Sequence, residues 1–354
     1  MPLTPDQEEV KSESERSQED LIALDRQNRS QLVALYDRAI GEMRGRIMAI
    51  AGARNSIQTE ALAVLIQQLD NELQKLAQAR NKILDDGIAA AADLGARPFG
   101  QRIGATAVFN ARSAAIERVR TFQDPSGLRL SDRIWRLDRR ADDILRTQVQ
   151  AAVARGDGAA KAALEFVQRG VPVPPELDMA ARAARPEQVA EGLASSLSSG
   201  PGNPLDNTMR VLRTEVNRAH TVAYQGAAAA DLDTIGTKFM LSPRHPRVDI
   251  CDMHARANLF GLGPGVYPHG RSPLPAHPNT LSFEVVVYRD EVTDEDRKGK
   301  QTVVDFLKTV ASKDRQGILG VNKNEAFEAG DLPASQVRST WRAVKKRLER
   351  QQEK

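Results

Sequence analysis

The sequence predicts a mainly α protein with a smaller α+β domain. We expect an elongated helical N-terminal half, then a compact C-terminal domain with a small antiparallel sheet and a long Gly/Pro loop. Aromatic residues make up only 4% of the 354 residues, so the cores must be built from aliphatic side chains, which favours helices over sandwiches. Apolar residues recur at helical spacing through residues 21–194. Two strand-like runs, 237–241 and 281–288, flank a stretch rich in Gly and Pro.

Residues 1–20 are predicted to be a disordered acidic tail. They contain seven acidic residues against Lys11 and Arg16, and almost nothing apolar to bury. This composition does not match a signal peptide. No run of about 18 apolar residues occurs in the chain, so no membrane contact is expected.

A helical region is predicted over residues 21–194. Helices are expected from near Leu21, Ser56 and Ala105 and from Ser131, with Gly156 ending the fourth. Residues 195–204 are rich in Ser, Gly and Pro, which is typical of a linker, and they predict the main domain boundary.

The C-terminal part is predicted as a compact domain over residues 205–332. A helix over 205–232 precedes the two strands, and antiparallel pairing of these strands would bring the ends of the intervening loop together. A basic helix is expected over residues 333–354. The net charge of the chain is only +3, which does not by itself indicate DNA binding. The candidates for DNA contact therefore lie where basic residues are concentrated, in this helix. They are Arg338, Arg342, Lys345, Lys346 and Arg347. The alternative is a solvated amphipathic helix without DNA contact.

All five histidines and the single cysteine fall within residues 213–288. A lone cysteine excludes an internal disulfide and is typical of a reducing compartment. Cys251 and His254 have the spacing of half a zinc site, and two later histidines would complete the predicted ligand set of Cys251, His254, His269 and His277. Two alternatives stay open. The thiol could be buried with the histidines bonded to loop carbonyls, or Cys251 with a histidine and Asp249 or Asp252 could form a nucleophilic site.

The order of these residues resembles the phage Mu F-like head morphogenesis family, whose members are minor head, or minor capsid, proteins of tailed phages and prophages. The resemblance covers about residues 213–332, including the helical segments after the second strand. The residues that carry it are Arg213, Thr214, Glu215, Asn217, Asp249, Cys251, His254, His277 and Pro278.

The resemblance implies a structural virion protein without catalytic residues. Its partners would be the portal protein and capsid or scaffold components, with weak non-specific DNA contact. Its place would be inside the head, and in the host cytoplasm during assembly. Three positions depart from the family: His254 replaces a cysteine, and Thr280 and Ser282 stand where closing cysteines are common. We therefore expect no cofactor, with a structural zinc as the alternative. A Cys/His- or metal-dependent hydrolase and a DNA-binding module remain the competing functions.

Overall fold

The computed structural model describes residues 3–51, 57, 61–124, 126–168, 172–176, 185–200, 202–243, 245–277 and 280–352. In this part of the chain there are twelve α-helices and one three-stranded antiparallel sheet, which confirms the mainly α class with a smaller α+β region. No helix among the described residues is long and apolar enough to cross a membrane.

Six helices precede the first strand in the described part of the chain. They are α1 (Pro5–Ala51), α2 (Leu62–Ala96), α3 (Gly100–Thr121), α4 (Leu130–Gln168), α5 (Pro186–Ser198) and α6 (Pro204–Ala230). The rest of the chain contains β1 (Thr234–Met240), α7 (Ile250–Arg256), β2 (Val266–Pro268) and β3 (Phe283–Tyr288). After the sheet come α8 (Asp294–Lys298), α9 (Val303–Thr309), α10 (Ser312–Leu319), α11 (Val321–Glu328) and α12 (Trp341–Gln352).

The acidic segment predicted to be disordered instead forms the start of α1. Val10, Ser14, Ser17 and Leu21 recur at spacings of three and four and are buried. The two serines can be buried because their hydroxyls are hydrogen-bonded: Ser14 Oγ donates to the Val10 carbonyl, and Ser17 Oγ donates to the Leu94 carbonyl. Composition alone missed this stripe, because small polar residues supply half of it.

Two further boundaries differ from prediction. Helix α4 continues through Gly156 to Gln168. Residues 195–204 are not the main boundary, because the chain divides into one compact unit of Met1–Ala23, Ile88–Val119 and Thr214–Lys354 and another of Leu24–Gly87 and Arg120–Arg213. The predicted linker holds a helix cap: Asn203 Oδ1 accepts from the Asp206 amide at 2.8 Å, and the Asp206 carboxylate accepts from the Gly202 amide at 3.0 Å.

The second of these units is helical. Helix α5 packs against α4, and the buried aliphatic residues include Leu65, Leu69, Leu145 and Leu193. Arg80, only 4% exposed, is paired with Asp138 at 2.7 Å. Such a buried guanidinium needs a carboxylate partner, so this pair fixes α2 against α4.

The first unit contains the sheet, whose strand order is β2-β1-β3. Lys238 lies opposite Val285 on β3 and Val266 on β2, both antiparallel. Pairing of the two predicted strands is therefore confirmed, while β2 was not predicted because three residues inside a Gly/Pro loop give no periodicity. Helix α6 is bonded to the sheet by Tyr224, whose hydroxyl oxygen accepts from the Val286 amide at 2.8 Å.

The Gly/Pro loop is pinned mainly by hydrogen bonds. Asn258 is buried; its Oδ1 accepts from the amides of Gly261 at 2.8 Å and Gly263 at 3.3 Å, and its Nδ2 donates to the Asp296 carbonyl at 2.7 Å. Together with β2 and the short helix α7, this network gives the loop a defined path without a large core of its own.

Candidate functional site

The site begins at the first turn of α7, which a capping box fixes. Asp249 is the N-cap and its Oδ1 accepts from the Cys251 amide at 2.7 Å, while Asp252 Oδ2 accepts from the Asp249 amide at 3.0 Å. The Asp-x-x-Asp spacing is the sequence signal for this arrangement. It holds the Asp249 carboxylate and the Cys251 thiol side by side.

His277 approaches this turn from the far end of the loop. Its Nε2 lies 3.3 Å from Asp249 Oδ2, and the ligand atoms of Asp249, Cys251 and His277 all lie within 4.8 Å of one another. The sequence predicts that the loop folds back so that Cys251 and His254 lie near His277, and the structure confirms this for Cys251. We call Asp249, Cys251 and His277 the loop cluster.

A second group shares Asp249 and was not predicted. His245 Nε2 is 2.8 Å from Asp252 Oδ2 and 3.8 Å from Asp249 Oδ1, and Arg256 pairs with the other oxygen of Asp252 at 3.1 Å. His245 precedes the predicted motif by four residues and has no ligand-like spacing. Only the turn of the loop brings it here.

Two of the four predicted metal ligands are not in the loop cluster. His269 Nε2 is 3.0 Å from Thr234 Oγ1 at the start of β1. His254 is buried at 2% exposure, and its Nδ1 is 2.8 Å from the Tyr267 hydroxyl, while its Nε2 has no hydrogen-bond partner in the part of the chain that the structure describes. Helical spacing places His254 on the same side of α7 as Cys251. Its ring nevertheless contacts Tyr267 on β2 and Phe239 on β1 and does not join the loop cluster.

Charge in the cluster is concentrated on Asp249. Burial alone would raise the pKa of this carboxyl, but hydrogen bonds from His277 and the Cys251 amide, with the nearby His277 and His245 charges, lower it to about 2. Burial lowers the pKa of His254 to about 3. At neutral pH the cluster therefore contains a carboxylate, and His254 is a neutral imidazole.

The helical part of the motif has other contacts. Arg213 makes two bonds to Asp25, at 2.6 and 2.9 Å, in the second unit, so it is not a surface charge. In the first unit, Glu215 is fully buried and forms an ion pair with Arg218 at 3.1 Å, one turn later on the same helix. Thr214 and Asn217 are buried as well. Pro278 lies outside the described residues.

Thr280 contacts the loop cluster from the segment just before β3. Its Oγ1 is 3.7 Å from Cys251 Sγ and accepts from the Ser282 amide at 3.2 Å. Thr280 and Ser282 are both buried. A threonine hydroxyl is thus the partner of the Cys251 thiol.

The loop cluster offers one oxygen, one sulfur and one nitrogen, a donor set that zinc accepts. In a tetrahedral zinc site, ligand atoms lie roughly 3.5 Å apart. The three donor atoms of the loop cluster would have to move only slightly to reach that separation. Each of the three already has a hydrogen-bonding or ionic partner, namely Thr280 for Cys251, and Asp249 and His277 for each other. The polar groups of the loop cluster are therefore also satisfied by their contacts with one another and with Thr280.

Comparison with protein-family models, curated proteins and solved structures finds no match to this chain.

Proposed function

We propose that this chain is a structural minor head protein of a tailed phage or prophage, acting in head assembly at the portal vertex and beside packaged DNA. The observation that carries the proposal is the convergence of Asp249, Cys251 and His277 in one cluster. These three residues belong to the motif on which the resemblance to the Mu F-like family depends. They are separated by up to 28 positions in the sequence, since they span residues 249–277.

The chemistry of the cluster supports a structural role. Cys251 has no exposed surface, and its amide and thiol both make contacts within the protein. A nucleophile must reach its substrate, whereas a group that pins a loop is best placed in the interior.

Particle composition tests the proposal. Virions and procapsids of the phage or prophage that carries this gene would be purified, treated with nuclease, washed at high salt and digested for mass spectrometry. We expect peptides of this chain in both particles, and co-purification with the portal protein when the two are co-expressed. Presence in the lysate but absence from both particles would overturn the proposal.

A Cys/His-dependent hydrolase is the second candidate, because the loop cluster contains the residue types of a nucleophile, a base and an orienting acid. Thiol alkylation separates the two functions. A structural thiol should react with iodoacetamide only at the rate of unfolding, and the Cys251→Ser variant supplies the blank. Rapid stoichiometric labelling of the native protein would favour the hydrolase.

A further inference from the structure

The first four turns of α4 carry an exposed tryptophan. Trp135 is 63% exposed, whereas Leu137 and Ala141 on the same helix are buried. Trp135 is therefore not part of the buried apolar stripe of this helix, and its indole ring is exposed to solvent. A large amphipathic ring in this position is suited to contact with another molecule.

Three exposed arginines follow this ring on the solvent side of the helix. Arg139 lies one turn later at i+4, on the same side as the ring, and Arg136 and Arg140 lie on the adjoining exposed side. Arg139 has only long contacts, 4.0 Å to Asp142 and 3.8 Å to Asp143. For Arg136 and Arg140, no ion pair occurs within the described ranges. We call Trp135, Arg136, Arg139 and Arg140 the Trp–Arg face.

The local charge is positive. Residues 129–146 contain six arginines against four aspartates. Asp138 is paired with buried Arg80 at 2.7 Å and Asp142 with Arg146 at 2.9 Å. Asp132 accepts from the Arg129 amide at 2.8 Å at the helix start, and Asp143 lies 3.8 Å from Arg139. The positive charge that remains beside Trp135 is therefore mainly that of Arg136 and Arg140.

We propose that the Trp–Arg face binds single-stranded nucleic acid. Guanidinium groups pair with phosphate oxygens, and an exposed indole stacks on an unpaired base. In a duplex the faces of the bases are covered by their neighbours, so the ring contributes there only if the helix opens. The exposed ring favours a single strand, whose bases are open to stacking. Arg136 and Arg140, which make no ion pair within the described residues, supply the contacts to phosphate.

The basic helix α12 lacks this combination. Trp341 packs against the core cluster that contains Phe306 and Val344, so its ring is not free for stacking. Exposed basic residues on α12 can contact phosphates and nothing more specific. The inference about α4 is thus separate from the DNA contacts predicted from the sequence, and it does not rest on the head-protein proposal.

Fluorescence tests the stacking directly, since the chain has two tryptophans. In the full-length Trp341→Phe variant, Trp135 is the only indole. Titration with a thymidine 15-mer at low salt should quench its emission to saturation, and a duplex of the same length should quench it less. Absence of quenching would overturn the proposal. So would quenching that depends on protein concentration without DNA, which would indicate self-association, or equal quenching by polyglutamate, which would indicate an acidic protein partner.

Variants separate ring from charge. Trp135→Ala should weaken binding of the 15-mer by about tenfold or more without changing the salt dependence. Arg136→Gln/Arg140→Gln should reduce the slope of log affinity against log salt by about 1.4, because each phosphate contact to a single strand contributes roughly 0.7. Val167→Ala, another exposed apolar residue of α4 at 62%, is the matched control and should bind like the parent. Since these side chains are exposed, melting curves should coincide; undiminished binding in both test variants would overturn the proposal.

Discussion

Single residues at the start of α7 decide what holds the loop. The Asp249 carboxylate has three partners of different kinds: the Cys251 amide, His277 and the more distant His245. These contacts add to the small apolar cluster of Phe239, Cys251, Tyr267 and Leu274, against which Ala276 packs. Loss of any one of them should therefore affect the loop more than the rest of the unit.

We expect the loop cluster to be stable without a metal, because Thr280 and the Asp249–His277 pair satisfy its donors. A chelator should leave the melting temperature unchanged, and elemental analysis should find no stoichiometric zinc. His277→Ala should lower the free energy of unfolding by about 1 kcal/mol, because it removes the partly exposed pair with Asp249. Cys251→Ser should lower it by much less than the loss of a bound metal would. Stoichiometric zinc, with a large loss of stability in chelator, would show instead that the cluster is a metal site.

Two glycines of the loop give a matched pair for backbone effects. Gly265 has φ +75°, and a Cβ there would lie 2.5 Å from the Ala255 carbonyl oxygen; Gly270 has φ +73° and nothing within 4 Å. Both alanine variants incur the cost of the left-handed backbone, about 1 kcal/mol. Gly265→Ala should destabilise the protein further, because β2 must move away from α7. Equal values of the free energy of unfolding in denaturant would contradict this contact.

At the scale of elements, α12 belongs to a core and is not a free tail. Val344 is fully buried, and Trp341 and Leu348 pack against the same cluster. The charges in the sequence predict a basic face on this helix, but its opposite, apolar face packs into the core and determines where the helix lies. Deletion of residues 335–354 should consequently destabilise the first unit.

Charge variants are therefore the proper test of DNA contact by α12. Lys345→Gln/Lys346→Gln changes exposed residues, so stability should stay within about 0.5 kcal/mol. Non-specific duplex binding should weaken, with a slope against log salt reduced by about 1.8 for two lost contacts. Ala343→Gln, at an exposed position of this helix, would serve as the neutral control. Binding that keeps its slope would exclude these lysines as phosphate contacts.

Helices α6 and α7 and the sheet contain buried titrating groups whose pKa values are shifted in opposite directions. Burial lowers the pKa of His220 to about 4 and that of His254 to about 3, and it raises the pKa of Glu284 to about 7. Glu284 accepts hydrogen bonds from Gln225 and Ser272. Among the described residues, the hydrogen-bond partners of Glu284 are neutral, so burial dominates its pKa.

These pKa values predict the pH dependence of stability. Between about pH 4.5 and 6.5, the unfolded chain binds two protons at the histidines that the folded chain does not, while folded Glu284 binds one that the unfolded chain lacks. The free energy of unfolding should therefore rise with pH by about one proton's slope, roughly 1.4 kcal/mol per unit. Glu284→Gln should steepen this slope to about two protons. Denaturant titrations at several pH values measure it, and an unchanged slope in the variant would contradict the assignment.

At the scale of the whole molecule, the domain expected at residues 205–332 is not self-contained. In the first unit, Ser14 lies 2.7 Å from the Tyr224 hydroxyl and Ser17 lies 2.9 Å from His220 Nε2. Gln18 donates to the Leu281 carbonyl at 2.9 Å. The N-terminal segment of α1 thus covers α6 and the end of the loop.

A fragment of residues 205–354 should therefore fail to fold cooperatively, because the polar groups and apolar surface of α6 lose their partners on α1. Circular dichroism and thermal melting would show this, with the full-length chain as the reference. In the full-length chain, Ser17→Val tests the same contact, since it leaves His220 buried without its partner. A fragment with a sharp melting transition at the full-length temperature would contradict the division of the chain seen here.

The sequence by itself determined the fold class, the helical periodicity, the strand pair and the approach of His277 to Cys251. These features depend on local propensity, on the period of apolar residues and on chain reversal between paired strands. The sequence did not predict short elements such as β2 or the position of His245, because these depend on contacts between residues that are distant in sequence.

Only the tertiary structure decided which polar residues are interior. Ser14 and Ser17 in a segment that reads as disordered are buried against α6, and the Asn203 cap turns a linker-like run into an ordered turn. Likewise, Trp341 packs into a core while Trp135 stays exposed, although both stand among basic residues. The physical reason is that a polar side chain can be buried wherever a hydrogen-bond partner meets it, and that partner comes from another part of the chain.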